Sequence, residues 1–168
     1  DSPRHAADLV HWFESRGGIA HILLSHQDDV ADAGKYAQHF GARVWIHRDD
    51  SAAAAYATDV LEGTSARAVA DGVIAIPLPG HTRGSVAYLF DDRVLFTGDS
   101  LAWSAREQDL VAFRDACWYS WTTLTASLGK LLDYRFEWVL PGHGWPVQLP
   151  AAEMHARLRA LVERMARD

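Results

Sequence analysis

Two alternating apolar runs, Val86–Phe90 and Val94–Phe96, meet across Asp91-Asp92, and period-two alternation around a polar turn predicts an antiparallel hairpin. Ahead of it, Ser2-Pro3 reads as a helix start, a hydroxyl cap followed by proline at the first helical position. Leu9, Val10, Trp12 and Phe13 form one side of that helix, and Gly17-Gly18 ends it. The run Ile19–Leu24 predicts a short buried strand that delivers Ser25-His26-Gln27-Asp28-Asp29. A second helix covers Asp32 to Phe40 and stops at Gly41, a strand covers Val44–Ile46, and the alanine-rich Asp50–Ala57 reads as a short helix. Thr64–Asp71 and Val73–Leu78 are expected strands leading into the hairpin. The pattern weakens over Ala102–Cys117, which reads as a long surface excursion. Ser120 caps a helix reaching about Tyr134, with Leu124, Leu128 and Leu131 on one face. Phe136–Leu140 is a further strand, and after Pro150 comes a last helix with Met154, Leu158, Leu161, Val162 and Met165 at helical spacing.

Strands and helices alternate, with hairpins inside, which predicts a sheet covered by helices, of α/β or α+β type. Strands ending at Ser25, Leu78 and Leu140 each lead into a loop bearing a histidine, and the one ending at Phe96 leads to Asp99. Because the hairpin carries the chain out and back, His81 and Asp99 should sit near the same sheet edge.

Composition narrows the class. With 168 residues, the simplest organisation is one domain over residues 1–168, long enough to bury a substantial core. A net charge of −6 argues against a broad nucleic-acid or anionic-membrane surface. No apolar run approaches membrane-spanning length and no signal-peptide pattern is present, so no membrane partner is expected. A single cysteine, Cys117, rules out an internal disulfide and suits a reducing, cytoplasmic compartment.

His26, His81, Asp99 and His143 are the candidate metal ligands, since imidazole nitrogen and carboxylate oxygen suit zinc or iron. Taken singly each is unremarkable for a surface residue; the case rests on three histidines in glycine-flanked loops after apolar strands. A metal held with an open position would bring a bound water's pKa towards neutrality.

PGHTRGS, LFTGDS and VLPGHG resemble the second, third and fourth metal-binding motifs of the metallo-β-lactamase-fold hydrolases. The resemblance implies an αββα four-layer sandwich with the metal site at one edge of its two sheets. It also implies that the family's first strands, which precede Asp1, are absent here, so that either a sheet edge is exposed or differently paired, open to a second copy, or an N-terminal segment is missing from the sequence. The first motif departs from the family, which has His-x-His-x-Asp-His where this chain has Ser25-His26-Gln27-Asp28-Asp29-Val30-Ala31-Asp32-Ala33. Without a gap, His26 takes the first histidine's place, Asp28 the second's, and Val30 and Ala31 stand where the Asp-His pair belongs. With a two-residue insertion, Asp32 and Ala33 stand there instead. One half-site therefore keeps His26, His81 and Asp99 with Asp28 as a fourth ligand, and the other keeps Asp99 and His143, plus Asp32 if the insertion is real.

The expected cofactor is one divalent transition metal, zinc ahead of iron, with an empty site as the alternative. The expected activity is attack of a metal-bound water on an ester or thioester of a small-molecule substrate. In the family the first-motif aspartate also orients that water, and Asp32 or Asp29 is expected in the role. The alternative is a non-catalytic binding or scaffold domain that keeps the fold and the remnants of the site. Beyond the motifs, His47 reads as a surface residue, and His5, His11, His21, His39, His155 and Cys117 as structural. Cys117-Trp118-Tyr119-Ser120-Trp121 either walls a substrate pocket or packs the following helix, and Arg83 is solvated unless it meets an anionic substrate.

Overall fold

The computed structural model describes residues 1–167. Eleven strands are present among them: β1 (His21–Leu23), β2 (Arg43–His47), β3 (Asp59–Leu61), β4 (Arg67–Ala70), β5 (Val73–Pro77), β6 (Val86–Phe90), β7 (Val94–Gly98), β8 (Ala102–Ser104), β9 (Asp109–Val111), β10 (Trp138–Pro141) and β11 (Val147–Gln148). The helices are α1 (Ala7–Glu14), α2 (Ala33–Phe40), α3 (Trp121–Lys130) and α4 (Ala151–Met165). β1-β2-β3 form a parallel three-stranded sheet, and β11-β10-β7-β6-β5-β4 a mixed six-stranded one.

Alternation along the strands builds the layers. In β2, Val44 and Ile46 face α1 and α2, where they pack with Val10, Ile22, Leu24, Ala33 and Tyr36. Trp45, between them, points the other way and meets Leu61, Val69, Ala75, Val86 and Tyr88 in the space between the sheets. In β6, Val86 and Tyr88 face that inner core, while Ala87 and Leu89 face Leu124, Leu128, Leu158 and Leu161 of α3 and α4. The order is thus helices, sheet, sheet, helices, the expected αββα sandwich. β1 is an edge strand, and an apolar groove of about 520 Å³ runs past it, lined in part by Ile22, Leu23, Phe96 and Leu140.

The β6–β7 hairpin forms as expected, with Asp91 and Asp92 at φ 50° and 49° in a turn closed by Arg93 N–H donating to the Phe90 carbonyl. Several other expectations need correcting. Ser2-Pro3 does not start a helix: Ser2 Oγ donates to the Pro3 carbonyl, and α1 begins only at Ala7. The opening residues instead tie down the end of β1, with Ser25 N–H and O–H both donating to the Asp1 carboxylate at 2.8 Å. The Asp50–Ala57 helix is a 3₁₀ turn over Arg48–Ala54. Ala102–Cys117 is no surface excursion; β8 and β9 pair as a hairpin, and Leu101 and Leu110 are fully buried against α4. Strands of three residues are too short to register as periodicity. His47 is buried at the end of β2, where its Nδ1 accepts from Asp49 N–H and its Nε2–H donates to the Gly63 carbonyl.

Candidate metal centre

β1, β5, β7 and β10 all release their loops at one end of the sandwich. β7 and β10 are parallel neighbours with Gly98 opposite Pro141, so Asp99 and His143 emerge side by side. The sheets are stitched together beside them by Val86 N–H on the Ser25 carbonyl and by Tyr88 O–H on the Leu24 carbonyl. The loop after β1 therefore meets the loops after β5 and β7.

Two buried imidazoles face each other at this junction. The His26 and His81 rings lie 4.7 Å apart, edge to face, and each is almost wholly enclosed. Hydrogen bonds fix which nitrogen each offers. The single hydroxyl proton of Ser25 goes to Asp1, so Ser25 Oγ accepts from His26 Nδ1–H at 2.9 Å, leaving Nε2 of His26 as a lone pair. His81 Nδ1–H donates to the Ala116 carbonyl at 2.6 Å, with the same outcome for its Nε2. Both Nε2 atoms are buried, with no hydrogen-bond partner among the described residues. Desolvation first, then the neighbouring His26, pushes the pKa of His81 down and keeps it neutral.

Carboxylates complete the cluster. Asp99 Oδ2 lies 3.7 Å from His26 Nε2 and 3.8 Å from His81 Nε2, and Asp28 Oδ2 lies 3.7 Å from His81 Nε2. These gaps are too long for hydrogen bonds and resemble the ~3.4 Å that separates two ligands of one tetrahedral zinc ion. A buried polar nitrogen without a partner is costly, and two of them aimed at the same carboxylate, Asp99, are what a cation would relieve. The donor set of two imidazoles and two carboxylates therefore fits a divalent transition metal.

Asp29 and His143 stand on the far side of Asp99. His143 Nδ1–H donates to Asp99 Oδ1 at 2.9 Å, and Asp29 Oδ2 lies 3.9 Å from both His143 Nδ1 and His26 Nε2. That hydrogen bond, backed by the Asp99 charge, raises the pKa of His143. Asp29, Asp99 and His143 are also close enough together to surround an ion.

The structure thus gathers His26, Asp28, Asp29, His81, Asp99 and His143, and leaves out Asp32. The Asp32 carboxylate sits at the start of α2, accepting from His5 N–H at 2.8 Å and pairing with Lys35 at 2.9 Å. Ala33, which follows it, is buried in the core, so the helix turns Asp32 outward. These contacts hold the Asp32 carboxylate apart from the cluster, whereas Asp28 and Asp29 face it. Sequence reasoning missed Asp1, Ser25 and the Ala116 carbonyl, which set the histidine tautomers across 24 to 35 residues of chain. Arg83 lies 4.9 Å over the Tyr119 ring, beside the His81 loop, and Trp118 and Tyr119 N–H both donate to the His81 carbonyl.

Known proteins resemble this chain in sequence and in fold. Hydroxyacylglutathione hydrolase of Acidiphilium cryptum (strain JF-5) is 36% identical over 110 residues, 59% of this chain and 42% of that protein. The chain thus spans less than half the length of the curated relatives it matches. The crystal structure of TTHA1623 in a di-iron-bound form superposes with a TM-score of 0.61 at 26% identity, covering 94% of this chain and 84% of the other. The metallo-β-lactamase FIM-1 from Pseudomonas aeruginosa, in its mono-zinc form, gives 0.66 at 19% identity over 94% of this chain and 73% of its own, a likeness of fold alone. The model of the metallo-β-lactamase superfamily matches residues 6–143, from the start of α1 to the last of the clustered histidines, and on that span the chain belongs to the superfamily.

Proposed function

We propose that this chain is a metal-dependent thioester hydrolase working with one divalent transition metal, zinc in preference to iron. The observation that carries this reading is the pair of buried, partnerless Nε2 atoms of His26 and His81 beside the Asp28 and Asp99 carboxylates. Those four residues would hold the ion, which supplies Lewis-acid chemistry and lowers the pKa of water towards neutrality. A single ion is favoured because the second trio lacks such orphans: His143 Nδ1 is already satisfied by Asp99. The thioester class is supported by the hydroxyacylglutathione hydrolase relatives, whose names specify that bond.

The remaining groups divide the proton work. Asp29, a third exposed and adjacent to His26 and His143, is placed to take the proton of the attacking water. His143 is more basic than usual and mostly exposed, which favours the protonated ring that can give a proton to the departing sulfur. Water adds to the carbonyl carbon, the carbon–sulfur bond breaks, and the products are a carboxylic acid and a thiol. Asp99 keeps the His143 ring aimed throughout by accepting its Nδ1–H.

The test is thiol release from a panel of small acyl thioesters. Asp29→Asn should lower kcat by about 10²–10⁴ while leaving metal content intact. Full activity in Asp29→Asn would remove Asp29 from the chemistry. No thiol release from any thioester by the metal-loaded wild type would remove the function.

A further inference from the structure

We infer that Asp50, a buried carboxylate outside the metal cluster, is the positioning residue that sets the two ligand-bearing loops at binding distance; the inference rests on the metal reading above. Asp50 lies in the 3₁₀ turn after β2 and is 2% exposed. Its Oδ2 accepts from Gln27 N–H at 3.1 Å and from Thr82 Oγ1–H at 2.5 Å, and its Oδ1 accepts from Gly84 N–H at 3.0 Å.

The identity of those partners gives the contact its meaning. Gln27 stands between His26 and Asp28, so its N–H anchors the loop that offers both. Thr82 follows His81, and Gly84 closes the same turn, which Ser85 braces by accepting from Thr82 N–H at 2.9 Å. One carboxylate from an element that carries no ligand therefore pins together the two loops that do. The approach is close enough to need glycine at position 84, where a Cβ would fall 2.6 Å from Asp50 Cγ.

All three partners are donors, so the position needs a side chain that only accepts. Asparagine has nearly the same shape but one acceptor oxygen. Its amide N–H₂ would face either Gly84 N–H or the Gln27 and Thr82 donors, which forces one loop away. The turn bearing Asp50 is itself held by His47, whose Nδ1 accepts from Asp49 N–H. Displacing either loop opens the 4.7 Å spacing of the His26 and His81 rings, and with it the geometry of the ion's ligands.

The experiment measures zinc affinity by chelator competition on the stripped full chain, beside the melting temperature of the metal-free protein. Asp50→Asn should raise the zinc Kd about 10- to 100-fold, the range for residues that orient ligands. Thr82→Val, which removes one donor of the three, should raise it by less, and it decides the matter if Asp50→Asn does not fold. Val69→Ala serves as the structural control, because Val69 packs between the sheets on β4 with Trp45 and Leu61. It should lower the melting temperature and leave the zinc Kd unchanged. The inference is overturned if the folded Asp50→Asn protein, or Thr82→Val in its place, binds zinc within about twofold of wild type. It is also overturned if Val69→Ala weakens zinc as much at an equal loss of melting temperature. Failure of the wild type to bind zinc would instead bring down the metal reading and this inference with it.

Discussion

Replacing Gly98 by alanine probes how tightly the centre is built. Gly98 ends β7 at φ +49°, and a Cβ there would lie 2.4 Å from Ser25 Oγ and 2.8 Å from Ser25 Cβ. The left-handed backbone alone costs an alanine about 1–2 kcal/mol. Overpacking against Ser25 adds about 1–3 kcal/mol, because the neighbouring atoms belong to the short stem of a buried residue and cannot swing aside. The total, about 2–5 kcal/mol, is a large share of the 5–15 kcal/mol that stabilises an ordinary domain. Ser25 must move, and it is the link between Asp1 and His26 Nδ1, so zinc affinity should fall together with stability. Gly41→Ala isolates the backbone part, since Gly41 has φ +66° and nothing within 4 Å of its Cβ position. Urea unfolding of the metal-free proteins should show Gly98→Ala losing more than Gly41→Ala by at least 1 kcal/mol or so. Equal losses, or unchanged zinc affinity in Gly98→Ala, would refute the packing argument.

His81→Ala and Asp99→Ala should each abolish stoichiometric metal binding, measured by elemental analysis after gel filtration; retention by both would place the ion elsewhere. Ser25→Ala frees the His26 ring and should weaken zinc about tenfold in chelator competition, with the fold's circular dichroism unchanged. In the metal-free protein, NMR titration should place the His143 pKa above the ordinary 6.5 or so, and Asp99→Asn should bring it down. The sign for stability follows: this contribution is full below the unfolded-state value and is lost as pH climbs through the raised folded-state value. Asp32→Asn should leave metal content and thiol release unchanged, because the Asp32 carboxylate is held by His5 N–H and Lys35, apart from the cluster.

What the sequence made legible was local. The β6–β7 hairpin, the four strand ends and the glycine-flanked His81, Asp99 and His143 loops all declare themselves within a few residues. The Ser120 cap is equally local, its hydroxyl accepting from Thr123 N–H. The misses have two physical origins. β3, β8 and β9 are three residues long, and polar Asp59 and Asp109 interrupt their apolar character while pairing with Arg43 and Arg157. The other origin is sequence distance. Asp1 reaches Ser25 across 24 residues and Asp50 reaches Thr82 across 32, and no periodicity encodes such pairs. The choice between Asp29 and Asp32 was open for the same reason: burial of Ala33 in the α2 core, a tertiary fact, turns Asp32 away and leaves Asp29 at the site.

The central claim is that His26, Asp28, His81 and Asp99 hold a single divalent ion. Metal analysis of the protein purified from cells supplied with both zinc and iron tests it most directly. The account predicts about one equivalent of metal per chain, lost in His81→Ala. Less than about half an equivalent, or a reproducible two, would contradict it.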